Sequence, residues 1–213
     1  MKSTTNPDWR WRILLIAIVL FGMRSAAQQT SEPNAIAAAD PGTHQLSNAE
    51  KELARQLNLY RKSRNLPAIP LSASLSIVAR AHVMDLSEHY EYGGRCNLHS
   101  WSESAQWSSC CYTNDHSKAS CMWDKPRELT VYSGDGYEIA FFSNYEYESD
   151  AAFAKDVLEG WKSSRGHHEL IINKGKWTTS RWQAMGVGVF GDFAVVWFGE
   201  EIDPAGSPVS GDN

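Results

Sequence analysis

Ser47 stands three residues before Glu50, and Leu53, Leu57 and Tyr60 follow at intervals of four and three. A serine that accepts from the backbone three residues on, with a glutamate there to reciprocate, is a capping box. The i, i+4, i+7 spacing puts the three apolar side chains on one helical face. The pattern predicts a helix that starts at Ser47 and ends at Asn65 to Pro67. A second begins near Ser72 or Ser74, carries Leu75, Ala79, His82, Val83 and Leu86 as its stripe, and fades at Tyr90 to Gly94. A third starts at Ser149-Asp150, a good cap, with Phe153, Val157 and Trp161 on its face. The period then changes. Trp182 to Phe190 and Phe193 to Phe198 are rich in β-forming residues and are joined by Gly191-Asp192, a hairpin turn pair. A further short strand is predicted at Tyr137 to Phe142. Helices first and a terminal hairpin make an α+β domain rather than an alternating parallel one.

The ends of the 213-residue chain lack such periods. Lys2, Arg10 and Arg12 precede an apolar run from Ile13 to Phe21, and Ser25-Ala26-Ala27 offers small residues for cleavage, the layout of a secretory signal peptide over 1–27. The apolar run is too short for a bilayer span, which needs about 20 residues. Residues 28–45, rich in Gln, Ala, Pro and Ser, read as a flexible linker, and 203–213 as a disordered tail. One domain is expected at 46–202, secreted to the extracellular space or the periplasm. Loss of residues 1–27 removes four basic residues (Lys2, Arg10, Arg12, Arg24) and one acid (Asp8), taking the formal charge from −5 to −8. An acidic chain without a basic stripe argues against a nucleic-acid partner.

All four cysteines, Cys96, Cys110, Cys111 and Cys121, lie within 26 residues. An even count in an oxidising compartment reads as disulfides. A bond between the neighbours Cys110 and Cys111 would be strained, which favours the two pairings that avoid it and does not choose between them. No CxxC spacing supports a zinc cluster. These cysteines belong to an insert at 96–125 that also holds Trp101, Trp107, Tyr112 and Trp123. The simplest role for those aromatics is to pack the disulfides in a small satellite core, rather than to form an exposed rim for a glycan or lipid.

Three spots concentrate polar chemistry: Asn97-Leu98-His99-Ser100-Trp101 past the second helix, Gly136-Tyr137-Glu138-Ile139-Ala140 with an acid in an apolar strand, and Gly160 to His168, a helix end with a histidine pair. With Leu57-Asn58-Leu59-Tyr60-Arg61, Ala79 to Asp85 and Gly186-Val187-Gly188 in the right order, the chain resembles the CAP superfamily in its bacterial form, over about residues 46 to 200. The superfamily comprises cysteine-rich secretory proteins, antigen 5 and pathogenesis-related 1 proteins. The resemblance implies a three-layer α-β-α sandwich with a central, mainly antiparallel sheet. It also implies a cleft where two histidines and two acids converge and can hold a divalent metal.

On that resemblance His99 and His167 match the histidine positions and Glu138 is the nearest match to the first acid. Two departures stand out. The family strand reads Gly-Glu, whereas here Tyr137 intervenes between Gly136 and Glu138, and a one-residue shift turns a strand side chain to the opposite face. The second acid is expected about three residues after Trp161, where this chain has Ser164; Glu159 and Glu169 are near but do not match. His82 lies on an apolar stripe and reads as a hydrogen-bonded core histidine, and His168 as a solvent-facing neighbour. The expected function is a secreted binding or interaction module, its cleft holding a small lipid-like or peptide ligand, or an extracellular protein as partner, against His99, Glu138 and His167. The alternative is a metal-dependent hydrolase, with zinc on His99 and His167 and Glu138 as general base on bound water. No nucleophile elbow, P-loop or dinucleotide fingerprint is present.

Overall fold

The computed structural model describes residues 45–209. The signal peptide expected at 1–27 and the linker expected at 28–45, apart from Gln45, lie outside the described residues, as do residues 210–213 of the expected tail.

The first helix, α1 (Asn48–Ser63), begins as the capping box predicts. Ser47 Oγ accepts from the Glu50 N–H at 3.2 Å, and Glu50 Oε2 accepts from the Ser47 N–H at 2.7 Å. Ser72 caps α2 (Ala73–His89), and Ser149 caps α5 (Asp150–Ser163). Two helices of five residues, α3 (Ala119–Trp123) and α4 (Lys125–Leu129), are too short to show a period in the sequence. The predicted third helix continues as a separate one: Ser164 takes an extended conformation, and α6 (Arg165–Ile171) follows at once.

Strands β1 (Tyr137–Phe142), β2 (Ala184–Phe190) and β3 (Phe193–Gly199) form an antiparallel sheet in the order β1-β3-β2. The β2–β3 turn uses Gly191 at φ +54°, where a side chain would be strained. Alternate strand positions feed two cores. Ile139, Met185, Val187, Val196 and Phe198 meet α1, α5 and α6 on one face. Ala140, Ala184, Val195 and Trp197 meet α2 and the 96–125 insert on the other. The result is the expected α+β, three-layer α-β-α arrangement. The Gly186-Val187-Gly188 step has a packing cause. A Cβ at Gly186 would come within 2.0 Å of the Leu75 backbone, and one at Gly188 within 2.4 Å of the Ala79 carbonyl oxygen. Two hydrogens in place of side chains let α2 lie directly on β2.

The insert is stapled by Cys96–Cys111 and Cys110–Cys121, one of the two pairings that spacing left open. Its aromatics pack inward: Trp101 and Tyr112 are buried, with Trp107 and Trp123 half-buried against the α2-side core. Residues 203–209 depart from the expected disordered tail. The Asp203 carboxylate is buried and accepts from the hydroxyls of Ser72 and Ser74, and from the Ser74 and Ala205 amides. Polar residues at the start of a buried helix need partners, and this segment supplies them. Among the described residues no helix is long and apolar enough to cross a membrane.

Candidate functional site

Glu138 is the centre of the site. It lies on β1 opposite Trp197 of β3 and so faces the α2 layer. A carboxylate there is taken out of water and needs partners. Its two oxygens find two histidines: Oε1 bonds His82 Nδ1 from α2, and Oε2 bonds His99 Nδ1 at 2.7 Å from the loop after α2. His82 is fully buried, stacks on Trp101 with ring centroids 4.3 Å apart, and bonds the Ser100 carbonyl through Nε2 at 3.0 Å. That carbonyl can only accept, so Nε2 donates. With Nδ1 on the Glu138 carboxyl and Nε2 on the Ser100 carbonyl, His82 ties β1 to the loop that holds His99.

Burial alone would push the Glu138 pKa up. The charge on His82 and the hydrogen bonds from His82 and His99 outweigh it, and the carboxyl is held below the usual carboxylate range. His167, on α6, brings its ring to 6.3 Å from that of His99. Burial, aided by repulsion from His99 and opposed by attraction to Glu138, lowers its pKa to about 4. At neutral pH His167 is an uncharged imidazole with one donor and one acceptor nitrogen.

These groups line a cavity of about 490 Å³. Its walls are the insert (His99, Tyr112, His116, Trp123), the start of β1 (Tyr137 to Ile139), and the α6 region (Ser164, His167, Trp177). His99, Glu138 and His167, separated in the sequence, therefore share one cavity. The one-residue shift at Tyr137 does not remove Glu138 from it. The β1–β3 register is regular, and because β1 is an edge strand the cavity runs along its outer side, where residues from both faces reach it. Ser164 stands at the wall in place of the second acid. Glu159 is paired with Lys162 and Glu169 with Arg165, away from the cavity lining.

The fit to a metal is poor. Both Glu138 oxygens and the Nδ1 of His99 are already engaged. Beside Glu138, His99 Nε2 and one nitrogen of His167 are then left, fewer than the three protein ligands of an ordinary catalytic zinc site, while His116 is engaged with the Tyr112 hydroxyl through Nδ1. Among the described residues no group of three or more His, Cys, Asp or Glu is placed to hold a metal ion.

His82, read as a hydrogen-bonded core histidine, is buried and hydrogen-bonded, and its partner is the site acid. A lone histidine on an apolar helix stripe and a lone acid in an apolar strand each demand a partner; that shared demand was the available signal. His168 differs from its solvent-facing expectation: its Nε2 lies 2.7 Å from the Tyr60 hydroxyl, across the α1–α6 contact. The sequence reading did not pick out His116, Tyr137 or Trp177 as cavity residues, because nothing local in their spacing marks them.

The sequence model of a family described as CAP, the cysteine-rich secretory protein family, matches residues 54–176. Comparison with curated proteins gives no match. Among solved structures, the chain is similar to an extracellular protein containing an SCP domain from Bacillus anthracis strain Ames, at 16% identity and a TM-score of 0.48, covering 75% of this chain and 45% of that one. It is also similar to a cysteine-rich secretory protein from Staphylococcus aureus, at 16% identity and a TM-score of 0.46, covering 72% and 38%. An outer surface protein from Borrelia burgdorferi is matched at 17% identity and a TM-score of 0.47, covering 75% and 98%. The chain spans less than half the length of the first two of these proteins.

Proposed function

The chain belongs to the CAP family, and from that premise we propose that it is an extracellular binding module whose cavity at His99, Glu138 and His167 takes a small lipid-like or peptide ligand. One observation carries the reading: a cavity of about 490 Å³ joins apolar and aromatic walls to a few polar groups that are already oriented. That combination suits recognition, since the walls supply desolvation and the fixed polar groups supply direction. Neutral His167 offers a donor and an acceptor at little desolvation cost. The descriptions of the solved relatives as extracellular or outer-surface proteins agree with export.

The hydrolase alternative has less support. A general base must reach water and accept a proton near the working pH. Glu138 is buried, doubly hydrogen-bonded and held more acidic than an ordinary carboxylate. With the metal ligand set also incomplete, no catalytic step follows from these residues.

The test is a titration of the purified chain with a nitroxide-labelled stearic acid and, separately, with a linear heptapeptide library. Quenching of Trp123 and Trp177 reports the fatty acid. Gly166→Trp is the blocking variant: Gly166 lines the cavity, and a Cβ there meets nothing within 4 Å, so the new side chain can enter without clash. Wild type is expected to bind at least one probe, and Gly166→Trp to weaken it at least tenfold. Equal binding by both proteins would remove the cavity from the account.

A further inference from the structure

We propose that the groove along the outer edge of β1 binds an extended peptide as an added strand, its backbone pairing with both backbone groups of Glu138 and with the N–H of Ala140. The inference rests on the reading of the cavity as a ligand site and goes further by naming what is recognised.

The direction of the β1 amides follows from the sheet. The Met185 N–H donates to the Pro70 carbonyl and the Met185 carbonyl accepts from the Ser72 N–H, both at 2.9 Å, so Met185 turns its backbone away from β3. In an antiparallel ladder the direction alternates. Gly186 and Gly188 therefore bond to Trp197 and Val195, and the even positions of β3 turn to Tyr137, Ile139 and Phe141 of β1. Glu138, Ala140 and Phe142 are left with their backbone groups pointing outward. The Ala140 carbonyl confirms this independently, because it accepts from Trp161 Nε1 at 3.0 Å. Among the described residues nothing accepts from the N–H groups of Glu138 or Ala140. The two residues are 5% and 6% exposed as a whole, and the strand edge beside them opens onto cavity space.

Two such donors, two residues apart, repeat at about 7 Å along the strand, the spacing at which a neighbouring strand presents its carbonyls. A hydrocarbon chain has no acceptors at that repeat, whereas an extended peptide does. The space exists. The main cavity lies against Tyr137 to Ile139, and a second, of about 330 Å³, lies against Ala140 to Phe142; they share Ser164 and His167. At the opposite edge the chain itself meets Met185 and Val189, two of the three outward-facing positions of β2. Leu71 bridges Met185, and Glu50 Oε1 accepts from the Val189 N–H at 3.3 Å. The β1 edge is held at two points, where the Gly136 N–H donates to the Trp123 carbonyl and the Ala140 carbonyl accepts from Trp161, and elsewhere it is lined by the groove. Trp123 and Trp177 at one end, and Tyr90 and Phe142 at the other, would receive apolar side chains from the peptide.

The test starts from a linear heptapeptide library selected on the purified full chain. The tightest binder is resynthesised with one backbone amide N-methylated at a time. Strand addition predicts a loss of at least tenfold at the amide that donates to the Glu138 carbonyl and changes within about twofold at the two amides beside it, since only every other amide faces β1. It also predicts slower hydrogen exchange at Glu138 and Ala140 with peptide bound. Ala140→Pro removes one outward N–H without touching the ladder to β3, and should weaken the unmodified peptide at least tenfold. If that variant fails to fold, the N-methyl scan and the exchange data decide alone. Losses of similar size at adjacent amides, or no peptide whose binding Gly166→Trp weakens, would overturn strand addition. Bound nitroxide-labelled stearic acid with no bound peptide would sink this proposal and leave the cavity reading standing; binding of neither would sink both.

Discussion

The two faces of the sheet are covered by different means. On one, α1 and α5 present apolar stripes with serine caps, and the core between them and the sheet is aliphatic and aromatic. On the other, α2 is surrounded by protein and buries Ser72, Ser74, Ser76, His82 and Asp85 along with its apolar residues. An irregular insert with two disulfides covers that side. On the first face α1 also buries two charged residues: Glu50, which accepts from the Ser47 and Val189 amides, and Arg61, which donates to the Pro67 and Ile171 carbonyls and to Asn173. On the α2 face most inward polar groups have a named partner, Asp203 for Ser74, Ser102 for Asp85 and Glu138 for His82, while the Ser76 hydroxyl has none. The candidate site is that polar network continued to the edge of the sheet, where His99 and His167 open onto a cavity. The lesson is that the face harder to build is the face that carries the chemistry.

The largest expected effect comes from breaking the network at its buried end. His82→Leu leaves the Glu138 carboxylate with one partner in the interior, and removing one member of a buried pair typically costs about 3–5 kcal/mol. Urea midpoints measure it. The companion double variant His82→Leu/Glu138→Leu should recover much of the loss, because no buried charge is then unpaired. A double variant as unstable as the single would mean that packing, not charge, dominates this face.

Next is the staple. Cys110→Ser/Cys121→Ser opens a loop of about a dozen residues and should cost about 3 kcal/mol. Amide exchange should rise across 96–125 while α1 and α5 keep their protection. Uniform loosening would show that the two faces are one cooperative unit rather than two.

The smallest effect is a pH window. His167 has its folded pKa lowered to about 4 from an ordinary 6.5. Between those values the unfolded chain binds a proton that the folded chain refuses, so stability falls as pH drops from about 6.5 to about 4, by at most about 3 kcal/mol. Glu138, also lowered, acts in the same direction, its contribution being present above the unfolded carboxylate range and lost as pH falls through its folded value. His167→Gln should flatten the profile of melting temperature against pH over that window. An unchanged slope would assign the acid sensitivity to Glu138 and the α2 face alone.

Much of the frame can be read along the chain. Ser47 with Glu50, Ser149, and Gly191-Asp192 are local signals, and helix starts and a hairpin form where they stand. β1 falls on the predicted residues because a short apolar run ended by polar loops has few other uses. The site is less readable. His99, Glu138 and His167 were picked out by resemblance, and nothing local said that Glu138 would reach the cavity after its one-residue shift. That depends on β1 lying at an edge, a fact of strand order. His116 and Trp177 line the cavity through folding alone.

What the sequence determined by itself were the elements, since caps, periods and turn residues act within a few positions of one another. What only the tertiary structure decided were the partnerships: which cysteine meets which, which histidines bond Glu138, and which sheet edge lies along the cavity. Those depend on contacts between residues tens of positions apart, and short-range chemistry carries no record of them.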